Sequence, residues 1–354
     1  IYWSRTMQGK LRIALHHEQS SYPPVSEEKM ENLEATFRIV TPMFVGGADQ
    51  TPSDGIRPPS VKGALRFWWR ALNWGRFRKE KSDEEALKAL HKEEGRLFGA
   101  AAKMEKGRQV GGQGVFLLEV ISQPSSKTTV SDWPRSNTGA GYMAYGILES
   151  KGVKNGLPQP HRIGIQEAQD FILQIRFRPN ISKKDKNSIL SALNAWGLFG
   201  GLGSRSRRGM GSVTQMLSPT EPLPTRQAYE KQVKAVIDSL SDVALPPYTA
   251  ISKESHFCVL FEGGNARSVL DQAGQKYKDF RENLDLKERI PFGLPLKKED
   301  EINRRSSPLL FHVHALNNKR FVSSVLYLPA SPFHLAHPRI NMIKVAAFAQ
   351  GEKP

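Results

Sequence analysis

The chain reads as an α+β protein whose strands and helices run β-α-β-β-α-β once in full and then again without a last strand. Three observations carry this reading. Apolar and polar residues alternate at 33–41 and 171–177, a helical apolar period follows each alternation, and prolines break the pattern after residue 217. With 354 residues the chain can form about two domains and a sizeable core.

Residues 33–41 are the first strand, and a Gly/Pro-rich loop runs on to Pro59. Ser60 can then cap a helix whose apolar stripe is Val61, Ala64, Leu65, Trp68 and Leu72. A second stretch of the same period covers 84–98, and 114–121 reads as a strand. A long Ser/Thr/Gly/Pro loop reaches about residue 160, and its apolar residues offer a docking surface for neighbours. Phe171, Leu173, Ile175 and Phe177 mark the next strand, 182–199 is an amphipathic helix, and 211–217 is a short strand after a glycine-rich loop. This is the split βαβ of a ferredoxin-like (RRM-like) domain.

Pro219, Pro222 and Pro224 then introduce a helix at 226–240, and Pro246 and Pro247 make a second break. Beyond them lie a strand at 256–261, a helix at 266–284, strands at 308–315 and 320–328, and a helix at 338–349. Two tandem ferredoxin-like (βαββαβ) domains follow, 30–219 and 248–354, the second less complete, joined by a linker with a helix at 220–247. Residues 1–29 are unlike the rest and read as an N-terminal extension, disordered or an early start.

The formal net charge is +16, from 51 Lys and Arg against 35 Asp and Glu. An excess that large suits an anionic partner, since phosphate contacts supply most nucleic-acid affinity. The charge is also clustered: residues 55–79 hold seven basic side chains and no acidic one, and 171–217 hold eight against Asp185 alone. Cys258 is the only cysteine, so an internal disulfide and a thiol-based zinc site are both excluded. No apolar run is long enough for a bilayer and no secretory segment opens the chain, which leads us to expect a cytoplasmic protein with no membrane partner.

Two segments carry the chemistry. The first, RPPSVKGALRFWWRA at 57–71, places Lys62, Arg66 and Arg70 on one helical face with no acidic partner in the segment. Arg57, Ser60 and the free N–H groups of the helix start would form a phosphate site, and one tryptophan, Trp69, would stand at the rim to stack on a base. Gly63 would let this helix approach a neighbouring backbone. The second segment, FGGLGSRSRRGMGSV at 199–213, offers Gly201, Gly203 and Ser204 for close backbone approach, with Arg205, Arg207 and Arg208 for phosphates. The bland alternatives are a core helix with a solvated basic face and a flexible linker. If both segments line one groove, Arg66→Glu or Arg207→Glu weakens RNA binding and leaves folding intact.

These two strings in order resemble the RAMP superfamily of CRISPR RNA-binding proteins. The doubled Trp and the later IPFGLP at 290–295 are similar to the first RAMP subunit of the type III-B (Cmr) effector. The resemblance covers nearly the whole chain from Met30. It implies two ferredoxin-like folds and a non-catalytic, RNA-binding place in an antiviral ribonucleoprotein. The implied partners are the 3′ region of the guide RNA, single-stranded target RNA, and other Cmr subunits, above all a neighbouring RAMP subunit, with no cofactor. It places RNA contact at Arg57, Ser60, Lys62, Arg66 and Arg70, and at Gly201, Gly203, Ser204, Arg205, Arg207 and Arg208.

Two other readings compete. Backbone RAMP subunits cut target RNA with an Asp between first strand and first helix, and Asp49 and Asp54 lie in that loop here; an Asx-turn beside Gly55 is the reading adopted, with no catalytic residue, and cleavage by Asp49 or Asp54 is the alternative. His312 and His314 share one strand face and are read as core or partner-facing residues, so no metal is expected; a metal site with His334 or His337 is the alternative. A protein-only structural adaptor, with basic faces against acidic subunits, is the remaining class.

Overall fold

A computed structural model of the chain describes residues 31–352 apart from 48, 50, 106, 149–157, 159, 219–220, 294–304, 318 and 333–339. The extension expected at 1–29, His334 and His337 lie outside the described residues. The protein is a mixed α+β structure with several antiparallel sheets.

Strand β1 (Asn32–Ile39) turns Ala35, Phe37 and Ile39 inward and is followed by α1 (Pro58–Arg78) and α2 (Asp83–Phe98). Helix α2 starts in a capping box between Ser82 and Glu85. A hairpin, β2 (Gly99–Glu105) with β3 (Arg108–Gln113), precedes β4 (Phe116–Ser122). The hairpin was not anticipated, because its Gly- and Ala-rich sequence lacks alternation. The long loop holds β5 (Thr129–Val130), the one-turn α3 (Gly139–Met143) and β6 (Gly164–Ile165). Strand β7 (Asp170–Phe177), helix α4 (Lys183–Phe199, capped by Ser182) and β8 (Val213–Gln215) close the first unit. Its sheet runs β4-β7-β1-β8, with every neighbouring pair antiparallel. Phe37 sits opposite Phe171, their rings 5.7 Å apart, and Trp196 of α4 covers Phe37 at 4.7 Å. Such aromatic pairs add ~0.5–1.5 kcal/mol beyond the area they bury.

Helix α5 (Arg226–Asp238) leads to β9 (Phe257–Gly263), α6 (Ala266–Glu282), the short α7 (Leu286–Arg289), β10 (Leu309–Leu316), β11 (Arg320–Tyr327) and α8 (Ile343–Ala349). The second sheet has order β10-β11-β9 and is also antiparallel. All eight residues of β10 are buried. Leu309, Phe311, Val313 and Ala315 face the core under α6 and α8, while Leu310 and Leu316 join the core of the first unit.

The outer edge of β10 is satisfied by the first unit. Phe311 N–H donates to the Arg207 carbonyl (3.0 Å), Val313 N–H to the Ser212 hydroxyl (3.1 Å) and Ala315 N–H to the Thr214 hydroxyl (3.0 Å). The long loop is likewise occupied within the chain. Ala140, Met143, Ala144 and Ile147 are buried with Val269 and Leu270 of α6, and Gly139 packs backbone to backbone on Gly274. These apolar residues are therefore unavailable as the docking surface expected there.

Candidate nucleic-acid interface

Helix α1 begins at Pro58, with prolines in its first turn and Arg57 at the N-cap making no side-chain cap bond. Ser60 is thus inside the helix rather than its cap. Proline has a φ suited to a helix start but no N–H. The Ser60 and Val61 N–H groups both donate to the Arg57 carbonyl, at 3.0 and 3.3 Å. The first turn therefore lacks the free donors that the sequence suggested. What remains there are side chains: the exposed Arg57, with Nη2 3.3 Å from the Gly46 carbonyl, and the Ser60 hydroxyl.

These side chains face the glycine-rich loop. Gly203 has φ 88° and lies against the Phe44 backbone, and Ser204 N–H donates to the Phe44 carbonyl at 2.9 Å. Phe44, Val45, Gly46, Gly47, Arg57, Ser60, Gly203 and Ser204 enclose a cleft of about 440 Å³, with Arg162 on a further wall. Arg162 Nη1 donates to Ser204 Oγ at 2.6 Å, and its Nε is buried without a partner. No sequence signal pointed to Arg162, a single basic residue in a polar loop.

The rest of the α1 face turns elsewhere. Arg66 Nη1 and Arg70 Nη1 reach Glu94 Oε1 of α2, at 3.2 and 2.7 Å, and Arg66 also bonds the Gly99 carbonyl. The acidic partner absent from the segment itself is supplied by the next helix. Lys62 sits 5.0 Å over the Phe116 ring, and burial together with the charge of Arg66 lowers its pKa. Lys62 and Arg66 line a separate recess under the β2–β3 hairpin. Trp69 is fully buried and donates to Ser188 Oγ at 2.8 Å, so it cannot stack on a base. Gly63 faces open space and meets no neighbouring backbone.

The arginines of the loop also divide. Arg207 donates to the Ser307 carbonyl (2.6 Å), lies 5.5 Å over the Phe67 ring, and has its pKa pushed down to about 10 by burial. Arg208 stacks 4.9 Å over Tyr277. Both tie the loop to the second unit. Arg205, at φ 60°, is exposed. Gly201 bridges to Ser212 at the loop base. The open face of the first sheet presents Glu34, Thr36 and Arg38 from β1 and Ile172, Gln174 and Arg176 from β7. Arg38 is paired to Asp170 at 2.8 Å, and without aromatic rings at these positions that face offers no stacking platform.

The family model of the RAMP superfamily matches residues 36–214, from β1 through β8. The chain belongs to the RAMP superfamily. Among its relatives is the CRISPR system Cmr subunit Cmr1-1 of Pyrococcus furiosus, 26% identical over 305 residues that cover 79% of this chain and 82% of the relative. The crystal structure of Cmr1 from Pyrococcus furiosus (apo form) superposes with a TM-score of 0.58 at 22% identity, covering 91% of this chain and 96% of that one. A chain of the type III-B Cmr-beta complex, bound to cognate target RNA and AMPPnP in the presence of ssDNA, gives 0.52 at 13% identity, covering 91% and 98%. At these identities the structures share the fold.

In this RAMP chain the two loop aspartates make different contacts. Asp49 accepts from Thr51 N–H (3.0 Å) and Thr51 Oγ1 (2.6 Å), an Asx-turn, and these bonds lower its pKa. The Asp54 carboxylate lies against Gly47. His312 and His314 are buried, 3.4 Å apart, with His314 stacked on Tyr229 at 4.2 Å. Burial pulls His312 down to about 3 and His314 well below the usual range. Among the described residues no cluster of His, Cys, Asp or Glu is arranged to hold a metal, and no helix is long and apolar enough to cross a membrane.

Proposed function

We propose that this chain is a non-catalytic, RNA-binding subunit of a type III-B CRISPR effector, holding single-stranded RNA in the cleft between α1 and the glycine-rich loop. One observation carries the reading. The two basic segments, far apart in sequence, meet at Arg57, Ser60, Gly203 and Ser204, with Arg162 added. Guanidinium groups and hydroxyls on a narrow wall suit phosphodiester oxygens. The relatives' names supply a Cmr assembly and target RNA; other Cmr subunits, above all a neighbouring RAMP subunit, and target RNA are the proposed partners, and the motif resemblance adds guide RNA near its 3′ end.

The same reading takes 30–219 as a ferredoxin-like platform. In support, β8-β1-β7-β4 is the order produced when two βα units interleave. A second ferredoxin-like unit at 248–354, lacking its last strand, is supported by β9-β11-β10 with α6 and α8.

The test is the salt dependence of single-stranded RNA binding by wild type, Arg57→Glu and Arg162→Glu. Log affinity should fall with log salt by roughly 0.7 per phosphate contact, and each variant should lower that slope by about one contact. Binding to acidic partner subunits without RNA affinity would establish the adaptor role instead.

A further inference from the structure

One exposed aromatic stands beside the cleft. Tyr145 is 71% exposed, in the turn that follows α3. That turn is fixed in place: His161 N–H donates to the Ile147 carbonyl at 3.1 Å, and Leu148 bridges to Pro160, which sets residues 145–147 beside Arg162. On the other side, the Arg205 guanidinium lies on Gly146, so close that a Cβ there would fall 2.5 Å from its Nη2. Partial burial, with the charges of Arg208 and Arg162 nearby, lowers the Arg205 pKa. The order across the surface is therefore the cleft wall of Arg162 and Ser204, then Arg205 over Gly146, then the phenol ring.

A solvent-facing ring next to two guanidiniums leaves an apolar face open to a ligand, with cations at hand. That pairing suits a nucleobase. Bases have apolar faces that stack on aromatic rings, while the attached phosphate needs cations within one nucleotide's reach. The cleft, at about 440 Å³, lies in the lower part of the ~300–1,000 Å³ range of pockets that take one small ligand. In an A-form duplex the base faces are already stacked and cannot reach a ring on a protein surface.

We propose that Tyr145 stacks on the base of one unpaired nucleotide, whose phosphate Arg162, Ser204 and Arg205 hold at the cleft. This rests on the RNA-binding reading above and deepens it: the substrate class is single-stranded RNA with at least one base turned out.

The experiment measures the affinity of the full chain for three probes: a short labelled oligouridylate, the same strand with abasic sugars, and a blunt RNA duplex. Wild type binds the intact strand best. Tyr145→Ala weakens intact-strand binding by roughly 5- to 150-fold, the range for one stacked base, but leaves abasic-strand binding unchanged. Tyr145→Phe binds like wild type. The ring is exposed, so an unaltered thermal melt separates this from unfolding. If Tyr145→Ala binds the intact strand like wild type, or loses equally on both strands, the stacking proposal is overturned while the RNA-binding reading stands. A duplex preferred over the single strand overturns it too. If wild type binds none of the probes, both fail together.

Discussion

Gly203 has its α-carbon pressed on the Phe44 carbonyl: a Cβ would lie 2.6 Å from that oxygen. The same carbonyl accepts the Ser204 N–H at 2.9 Å. The glycine-rich loop is thereby locked to the loop after β1, and that contact sets the width of the cleft.

Gly203→Ala should therefore cost about 1–3 kcal/mol, from the positive φ and the backbone clash together, and should weaken RNA binding. Gly63→Ala is the contrast. It lies inside α1 with open space around it, so the exchange should stabilise by roughly 0.5–1 kcal/mol. Thermal melts of the two variants check both signs.

Charge reversal separates the surface cations from the structural ones. Arg57→Glu should leave the melting temperature within error and reduce RNA affinity. Arg66→Glu puts a second carboxylate on Glu94, and Arg207→Glu puts a carboxylate among Phe67 and the Ser307 carbonyl. Both should destabilise by about 2–4 kcal/mol. The sequence offered these two substitutions as clean binding tests. The neighbours of the side chains argue that they report on folding instead.

His312 gives a pH signature. Its folded-state pKa is about 3, below the usual value near 6.5, because the ring is buried. Below pH ~6.5 the unfolded chain takes up a proton that the native state refuses, so stability falls as pH falls toward about 3. The slope is about 1.4 kcal/mol per pH unit for one such group. His312→Gln should flatten the acid limb of stability measured by denaturant unfolding; an unchanged limb would assign the slope to other groups.

Asp49→Ala and Asp54→Ala should leave target-RNA cleavage by the assembled complex intact, with Asp49→Ala losing only its turn bonds to Thr51. Loss of cut product in either variant would assign the cut to this chain.

The order of the main strands and helices was legible because alternation and helical period are local properties, as at Phe171–Phe177 and along α4. The meeting of Arg57 and Ser60 with Gly203 and Ser204 followed from that order. What escaped was set by neighbours distant in sequence. Glu94 reaches back from α2 to pair with two arginines, Ser188 gives Trp69 a buried partner, and Arg162 arrives on a loop. One error needed no structure: Pro58 and Pro59 already deny the helix start its N–H donors.

The β10 strand ends its own sheet, yet its outward N–H groups are met by Arg207, Ser212 and Thr214 of the other unit. A fragment beginning after residue 247 would bare that strand as a template for intermolecular pairing, and would self-associate. The two halves are not modules that can be shuffled or trimmed independently, because residues 207–214 of the first half are also the cover over the edge of the second sheet.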